Sequence, residues 1–522
     1  MKIPNRDSRL TSSLFLEFSL AAVIATAGLG GVGPILTSTT QGGSAGLGVR
    51  ATSADAFVDS IGVDTHWSFP TYSAHLSELE SLFLNSGVRH FRDGAVPAVM
   101  KELVSHGIRE TLVIDPAHGM VPNDSYWSAA APGASHIIAE YLKNYGPVGS
   151  VDALEMPNEL DLFHRLYKWH PSDASTLSTD PSDDNYYGAY GQAVTRDCWR
   201  AIKSDQALKS IKIIGPTVGI QEPSPYPPGS LYKYVDWGGF HPYPGRANTW
   251  TRPSPYDTIP KYYWNSSQPS VNVGIDSYGG SALMFTWYQP AFSDGENAKP
   301  MVATETGYQT GLKSKGGISS TAQAKYVPRL FAEYLRNGIV RAFLYEFYDE
   351  GASPENPEQN FGLIYNDLTP KPAYTALTSL IKLLVDPGPA FAPGRLKYSL
   401  TVRPNGYYTR TGYVHDLLLQ KRNGDFYLLL WHEISDTSNT DIYGNELPST
   451  QRDITPPPLE TTITLPKEIV SAELYYYDQN WHLHPEPLSI ADDQITVMAT
   501  DSVSVIRLSP SGPALGVADV HR

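Results

Sequence analysis

Residues 151–161 read Val151-Asp152-Ala153-Leu154-Glu155-Met156-Pro157-Asn158-Glu159-Leu160-Asp161. A short, mostly apolar run meets a proline and breaks into an amide and two acids. Such a run reads as a buried strand, and the polar residues behind it as the loop leaving its C-terminal end. The same unit recurs upstream at Phe57–Val63, Val88–Arg92 and Glu110–Ile114. Downstream it recurs at Ile211–Gly215, Val235–Phe240, Pro300–Thr304 and Ile339–Phe347. Amphipathic stretches lie between, at Ser73–Ser86, Ala134–Tyr145, Tyr187–Lys203 and Ser320–Asn337. Strands alternating with helices pair in parallel through right-handed crossovers, and eight such units close into a barrel. The pattern therefore predicts an α/β fold, a (β/α)8 TIM barrel over residues 55–385.

Beyond Asp386-Pro387-Gly388-Pro389 the helical period fades. Strands are expected at Tyr398–Val402, Asp416–Gln420, Phe426–Trp431, Thr461–Leu465, Ala472–Tyr477, Thr496–Ala499 and Ser502–Leu508. They make residues 386–508 a smaller all-β sandwich domain, with a disordered tail over 509–522. At the other end, Lys2, Arg6 and Arg9 precede an apolar stretch from Leu14 to Ala27, and Ala25-Thr26-Ala27 offers a cleavage site. Residues 1–27 read as a signal peptide for secretion or export to a periplasm, with an uncleaved membrane anchor as the alternative. Residues 28–54, rich in Gly, Ser, Thr and Ala, read as a flexible linker.

Of the 522 residues, 39 are Lys or Arg and 54 are Asp or Glu, a formal charge of −15. That balance excludes a nucleic-acid partner of the usual kind, which needs clustered cations. The single cysteine, Cys198, excludes a disulfide framework and a cysteine-rich zinc site. Oligomeric state is not legible, and no membrane partner is expected beyond export.

In such a barrel, function sits where the strands end. The expected strand ends carry Asp64-Thr65-His66-Trp67, Arg92-Asp93-Gly94, Asp115-Pro116-Ala117-His118, Pro157-Asn158-Glu159, His241-Pro242-Tyr243, Thr304-Glu305 and Tyr345-Glu346-Phe347-Tyr348-Asp349. Packing alone does not ask for this ring of ionisable and aromatic groups, because charges are rarely buried without partners.

Asn158-Glu159 on the fourth strand, Glu305 on the seventh and His241-Pro242-Tyr243 on the sixth resemble the clan A retaining glycoside hydrolases. The segments 360–365 and 370–374 behind strand eight are similar to clan members too. The resemblance implies an O-glycosyl hydrolase that cleaves β-glycosidic bonds of oligo- or polysaccharides by double displacement. It implies Glu159 as general acid/base and Glu305 as nucleophile, and no metal or cofactor. Two carboxylates suit the chemistry, since one must donate a proton to the leaving oxygen while the other attacks the anomeric carbon. Arg92 would keep Glu305 ionised. Asn158 resembles the residue that bonds the sugar 2-hydroxyl, although strict strand alternation would turn it away from Glu159. His241 would contact the sugar or polarise a carboxylate, and Tyr243 shares its face. Clan members often carry a Trp on strand eight, and this sequence offers Tyr345, Phe347 or Tyr348 as the aromatic floor.

Other expectations are more open. His66 and His118 are candidate sugar contacts or structural histidines. Trp67 is a stacking platform or a core residue. Glu155 competes with Glu159, and Glu346 with Glu305. The loop from Pro244 to Lys299, carrying Trp250, Tyr256, Tyr262, Tyr263, Trp264, Tyr278, Phe285, Trp287 and Tyr288, offers further rings for a cleft or for packing. Two other functions remain to be weighed: a metal-dependent barrel hydrolase, and a carbohydrate-binding barrel without catalysis. In the β-domain, Tyr475, Tyr476, Tyr477 and Trp481 are read as packing against the barrel rather than as a binding platform. Residues 51–58 are expected to lend that domain a strand.

Overall fold

The computed structural model describes residues 48–94, 96–113, 149–163, 186–219, 224–244, 287–314, 317–404, 414–434 and 455–512, with isolated positions among 139–145 and at 285, 436 and 453. The predicted signal segment, His118 and the aromatic loop over 245–284 lie outside the described residues. Among the described residues no helix is long and apolar enough to cross a membrane.

Eight parallel strands form one sheet: Ile61–Asp64, His90–Asp93, Arg109–Val113, Val151–Glu155, Lys212–Ile214, Gly238–Phe240, Met301–Thr306 and Ile339–Leu344. Numbered one to eight along the chain, they lie in the order five-four-three-two-one-eight-seven-six. A parallel bridge between Ile214 and Trp237 joins strands five and six and closes the barrel. Ala153, Ile214, Val302 and Phe343 pack together as a core cluster of their own, drawn from four strands. The close fit is visible at Gly62, where a Cβ would sit 2.4 Å from the Phe343 ring.

The first strand differs from expectation. Phe57–Val63 was to be extended, yet Ala54–Asp59 is a helix and the strand begins at Ile61. Ser53 caps that helix by accepting from the Ala56 N–H, and Phe57 and Val58 fill its buried face. The apolar pair was read with period two, but it spends its burial on a helical turn.

Helix Ser320–Arg336 follows strand seven, capped by Ser319 and buried along nearly its whole length. Helix Pro372–Leu384 packs beside it. Such all-round burial has a structural cause, because the β-domain covers the side that the barrel leaves free.

That domain holds a three-stranded sheet, ordered Ser399–Val402, Leu459–Thr464, Gln494–Ala499. Its six-stranded sheet is ordered Leu483–Leu488, Ile469–Tyr477, Ser504–Pro510, Phe426–His432, Val414–Gln420, Thr52–Ser53. Alternation sorts the larger sheet's side chains. Leu418, Leu428, Leu430, Ile506 and Leu508 join the sandwich core, while Leu417, Leu419, Leu429, Trp431 and Val505 join the barrel's. Every residue of Phe426–His432 is consequently buried. Tyr475, Tyr477 and Trp481 pack against the barrel cluster, Tyr477 donates to the Ala376 carbonyl, and Tyr476 is exposed.

Two boundaries shift. The linker reading fails for residues 48–54, where Val49–Arg50 pairs with Arg395–Leu396 and Thr52–Ser53 pairs with Leu419–Gln420. The tail reading fails at Ser509 and Pro510, which finish the last strand. The strand Leu483–Leu488 had no expectation, since Pro485 and Pro487 argue against a strand except at an edge, and it is at an edge.

Candidate active site

Arg92, the third residue of strand two, organises the barrel mouth from below. Its Nε and Nη2 grip the Glu155 carboxylate, Nη1 reaches Glu305 Oε1 at 2.9 Å and Asp64 Oδ1 at 3.2 Å, and Nη2 donates to Asn158 Oδ1 at 2.7 Å. Three other strand ends thus converge on one guanidinium, whose planar fork suits several carboxylates at once.

Glu159 lies past the end of strand four, in a turn where its own φ is +43°, a left-handed value that only a well-held non-glycine residue keeps. The loop after strand five holds it. The Glu159 N–H donates to Thr217 Oγ1, the Leu160 N–H to the Thr217 carbonyl, and the Gly219 N–H to Asp161 Oδ1 at 2.8 Å. This turn resolves the alternation problem: Asn158 bonds Arg92 while the next residue, Glu159, places Oε1 3.0 Å from His241 Nδ1.

Glu305 is aimed by an irregularity in strand seven. Against strand eight, Ala303 pairs with Ala342 and Thr306 with Leu344, so the extra residue falls at Thr304–Glu305. Its Oε2 accepts from the Tyr243 hydroxyl at 2.9 Å and lies 3.6 Å from His241 Nδ1. One oxygen of Glu159, one of Glu305 and a His241 nitrogen all lie within 4.8 Å of one another. Oxygens that close are compatible with the roughly 5–5.5 Å spacing of a retaining pair.

The electrostatics divide the two groups. Burial, then the charge of Glu305, raises Glu159 above the ordinary carboxylate range, against the pull of His241. Burial also works against Glu305, but the charges of His241 and Arg92 prevail and hold it below that range. His241 loses by burial and gains more from the surrounding carboxylates, so it is pushed up to about 10 and stays an imidazolium. Glu155 is fully buried, yet Arg92 and His241 carry it down to about 2. It is a fixed charge under the mouth. Glu346 is also fully buried, raised to about 7 by that burial, and its Oε2 is bonded by Tyr72 and lies 3.2 Å from His66 Nδ1.

The remaining expected residues divide. His66 lies at the mouth, with Nδ1 2.6 Å from Glu350 Oε1 and its ring 5.6 Å from that of Tyr345. Tyr345, Tyr243 and Phe361 form an edge-to-face cluster beside Glu305. Of the two readings of Trp67 the core one holds and the stacking platform does not: it is 3% exposed and packs edge-on against Tyr72 and Phe83. Glu350, Phe361, Thr217 and Gly219 were not anticipated, because loop residues follow no periodicity. For Phe361 the available signal was the segment 360–365 behind strand eight.

Among the described residues, three groups bring metal-ligating atoms within 4.8 Å: His66/Glu346/Glu350, Glu159/His241/Glu305 and Glu333/His415/Glu433. In each, the histidine nitrogen already lies 2.6–3.0 Å from a carboxylate oxygen. Each histidine is thus within hydrogen-bonding distance of a carboxylate of its own group.

Two substitutions test this geometry. A Cβ on Gly219 would meet Glu159 Oε1 at 2.9 Å and its Cδ at 3.0 Å. Gly219→Ala should therefore turn the carboxylate off His241 and lower kcat by about 10–100-fold, with the melting temperature nearly unchanged. His241→Asn removes a positive charge that lowers both carboxylates. Both limbs of the pH–rate profile should then move to higher pH, and a profile that stays in place would contradict the assignment.

No family model matches the chain, and no curated protein matches it. Among solved structures, the fold is similar to that of a family 39 glycoside hydrolase from the gut symbiont Bacteroides cellulosilyticus WH2, at 15% identity and a TM-score of 0.53 over 88% of this chain and 82% of that one. Weaker likenesses are found to a family 39 enzyme from Xanthomonas axonopodis pv. citri (15% identity, TM-score 0.49, 88% and 96% covered) and to a family 39 β-xylosidase from Caulobacter crescentus (13% identity, TM-score 0.47, 88% and 98% covered).

Proposed function

We propose that the protein is a retaining O-glycosyl hydrolase acting on β-glycosidic bonds, with Glu159 as general acid/base and Glu305 as nucleophile. The observation that carries this reading is the carboxylate pair within 4.8 Å whose environments drive the two groups apart. Glu159, held protonated by burial and by its neighbour's charge, gives its proton to the departing oxygen. Glu305, kept ionised by Arg92 and His241 and oriented by Tyr243, attacks the anomeric carbon. Glu159, then ionised, takes a proton from the water that releases the sugar. Tyr345, Tyr243 and Phe361 offer ring edges and faces to apolar CH surfaces, and Asn158 and His66 offer polar contacts.

A panel of aryl glycosides tests the activity, and proton NMR of the first-formed anomer tests the stereochemistry. Retention supports the assignment and inversion removes it. The reading through a metal-dependent hydrolase is separated by a chelator, which should leave the rate unchanged. Export belongs to the same proposal, supported by Lys2, Arg6 and Arg9 ahead of the apolar stretch to Ala27. Finding the protein in the cytoplasm after fractionation would count against it.

A further inference from the structure

Glu155 is the last residue of strand four, four positions ahead of Glu159, and it is fully buried beneath the mouth. The chemistry proposed for Glu159 and Glu305 gives it no part. It nevertheless meets both cations that serve them. Arg92 turns Nε and Nη2 to its carboxylate, which leaves Nη1 aimed at Glu305 and Asp64. Glu155 Oε1 also lies 3.7 Å from His241 Nε2, and the Thr217 hydroxyl donates to the same oxygen at 3.4 Å. The acids whose charges act with that of Glu155 are Asp64 and Glu305.

The two nitrogens of His241 face different carboxylates. Nδ1 lies 3.0 Å from Glu159 Oε1 and 3.6 Å from Glu305 Oε2. Nε2 is buried and makes no hydrogen bond among the described residues, so what it meets is the charge of Glu155 at 3.7 Å. A buried imidazole with no such charge beside it holds one proton, because burial disfavours the charged form. Here Glu305, Glu155 and Glu159 overcome burial, and His241 keeps both protons up to about 10. The charges of the site then match. Burial carries Asp64 well above the carboxylate range and leaves it neutral. Arg92 and His241 are balanced by Glu155 and by the single negative charge of the catalytic pair. That charge moves during double displacement: Glu305 loses it on bonding to the anomeric carbon, and Glu159 gains it on giving up its proton. The Nδ1–H of His241 stands beside both oxygens and serves whichever carries it.

We propose that Glu155 is a positioning residue: by facing Nε2 it keeps the second proton on His241, so that the Nδ1–H meets the catalytic pair as part of a full cation. The inference rests on the glycosidase reading of Glu159 and Glu305 and deepens it. Glu155 acts through its neighbours, in the way that a buried carboxylate orients the imidazole of a nucleophile–base pair.

Nitrogen NMR of histidine-labelled protein tests the placement, with His241→Asn identifying the signal of this residue among the 14 histidines. In the unaltered protein both His241 nitrogens should carry protons from about pH 6 to about pH 9. A neutral His241 at about pH 7 overturns the proposal, and that measurement needs no altered Glu155. Glu155→Gln keeps the shape and removes the charge. His241 should then lose its proton at a hydrogen-ion concentration about tenfold higher or more, and kcat on aryl glycosides should fall by about tenfold or more. Glu155→Asp keeps the charge and should restore most of the imidazolium signal and much of kcat. If Gln and Asp lose rate alike and leave the His241 signal where it was, Glu155 only fills space and the proposal is overturned. If the unaltered protein hydrolyses no aryl glycoside, the glycosidase reading itself fails and the inference falls with it. Hydrolysis with an unmoved His241 signal overturns the inference alone.

Discussion

Glu305→Ala is expected to lower turnover of aryl glycosides by about 10⁴-fold or more while leaving the fold intact. The carboxylate is gripped by Arg92, His241 and Tyr243, and no other described carboxylate lies in the same relation to Glu159. Glu346 faces Tyr72 and His66 instead, and Glu155 is locked beneath by Arg92. Glu159→Ala should act differently. With an activated aryl leaving group the first step survives without its proton, so the loss should be smaller there and largest with poor leaving groups. Azide should then rescue the activated substrates, because a small anion that needs no general base can occupy the vacated space. If Glu305→Ala keeps a near-normal rate, the nucleophile is elsewhere and Glu346 is the next residue to replace.

The second large effect concerns stability and lies far from the mouth. Arg329, on helix Ser320–Arg336, is fully buried where the barrel meets the β-domain. It reaches Glu433 and Asp436 and donates to the carbonyls of Ile434 and Asp501. Lys325 pairs with Asp501 nearby, and Glu333 meets His415 at 2.7 Å. Arg329→Met would keep much of the side chain's volume but leave two buried carboxylates without their cation, a loss of about 3–5 kcal/mol. Lys313→Ala, which removes an exposed pair, should cost less than about 1 kcal/mol. Denaturant melts of the two variants measure the contrast, and equal destabilisation would mean that the buried network contributes little. Separating the domains should be worse still, because Leu417, Leu429, Trp431 and Val505 would be uncovered together with the barrel helices they pack on.

The barrel was legible in the sequence because parallel strands, buried on both faces, leave apolar runs that survive without any alignment. The ring of chemistry was legible for a related reason. Strand ends are fixed by those runs, so Arg92, Glu305 and His241 could be placed before any contact was known. What escaped depends on local backbone choices. Asn158 and Glu159 converge through one left-handed residue and a hydrogen-bonded clamp from Thr217, neither of which has a period. Ala54–Asp59 went unrecognised because six residues hold too little pattern to tell a helical turn from a strand. Trp67 follows strand one like a mouth residue, yet its ring turns inward against Phe83, a matter of side-chain direction that residue type does not encode.

The pairing of Thr52–Ser53 with Leu419–Gln420 also governs the order in which the molecule comes together. The first of these segments is made before any barrel strand, and its partner only after the last one. Most of the chain is therefore enclosed in the loop that this short ladder closes, and such distant contacts form late because their entropy is paid before they return any stability. A growing chain can lay down helices and strands in sequence, but Val49–Arg50 finds its strand partner only when Arg395–Leu396 has been made, and Thr52–Ser53 only when synthesis has passed residue 420. The β-domain thus acts as the latch of a long closure, laid over the pairing of strand one with strand eight that shuts the barrel itself.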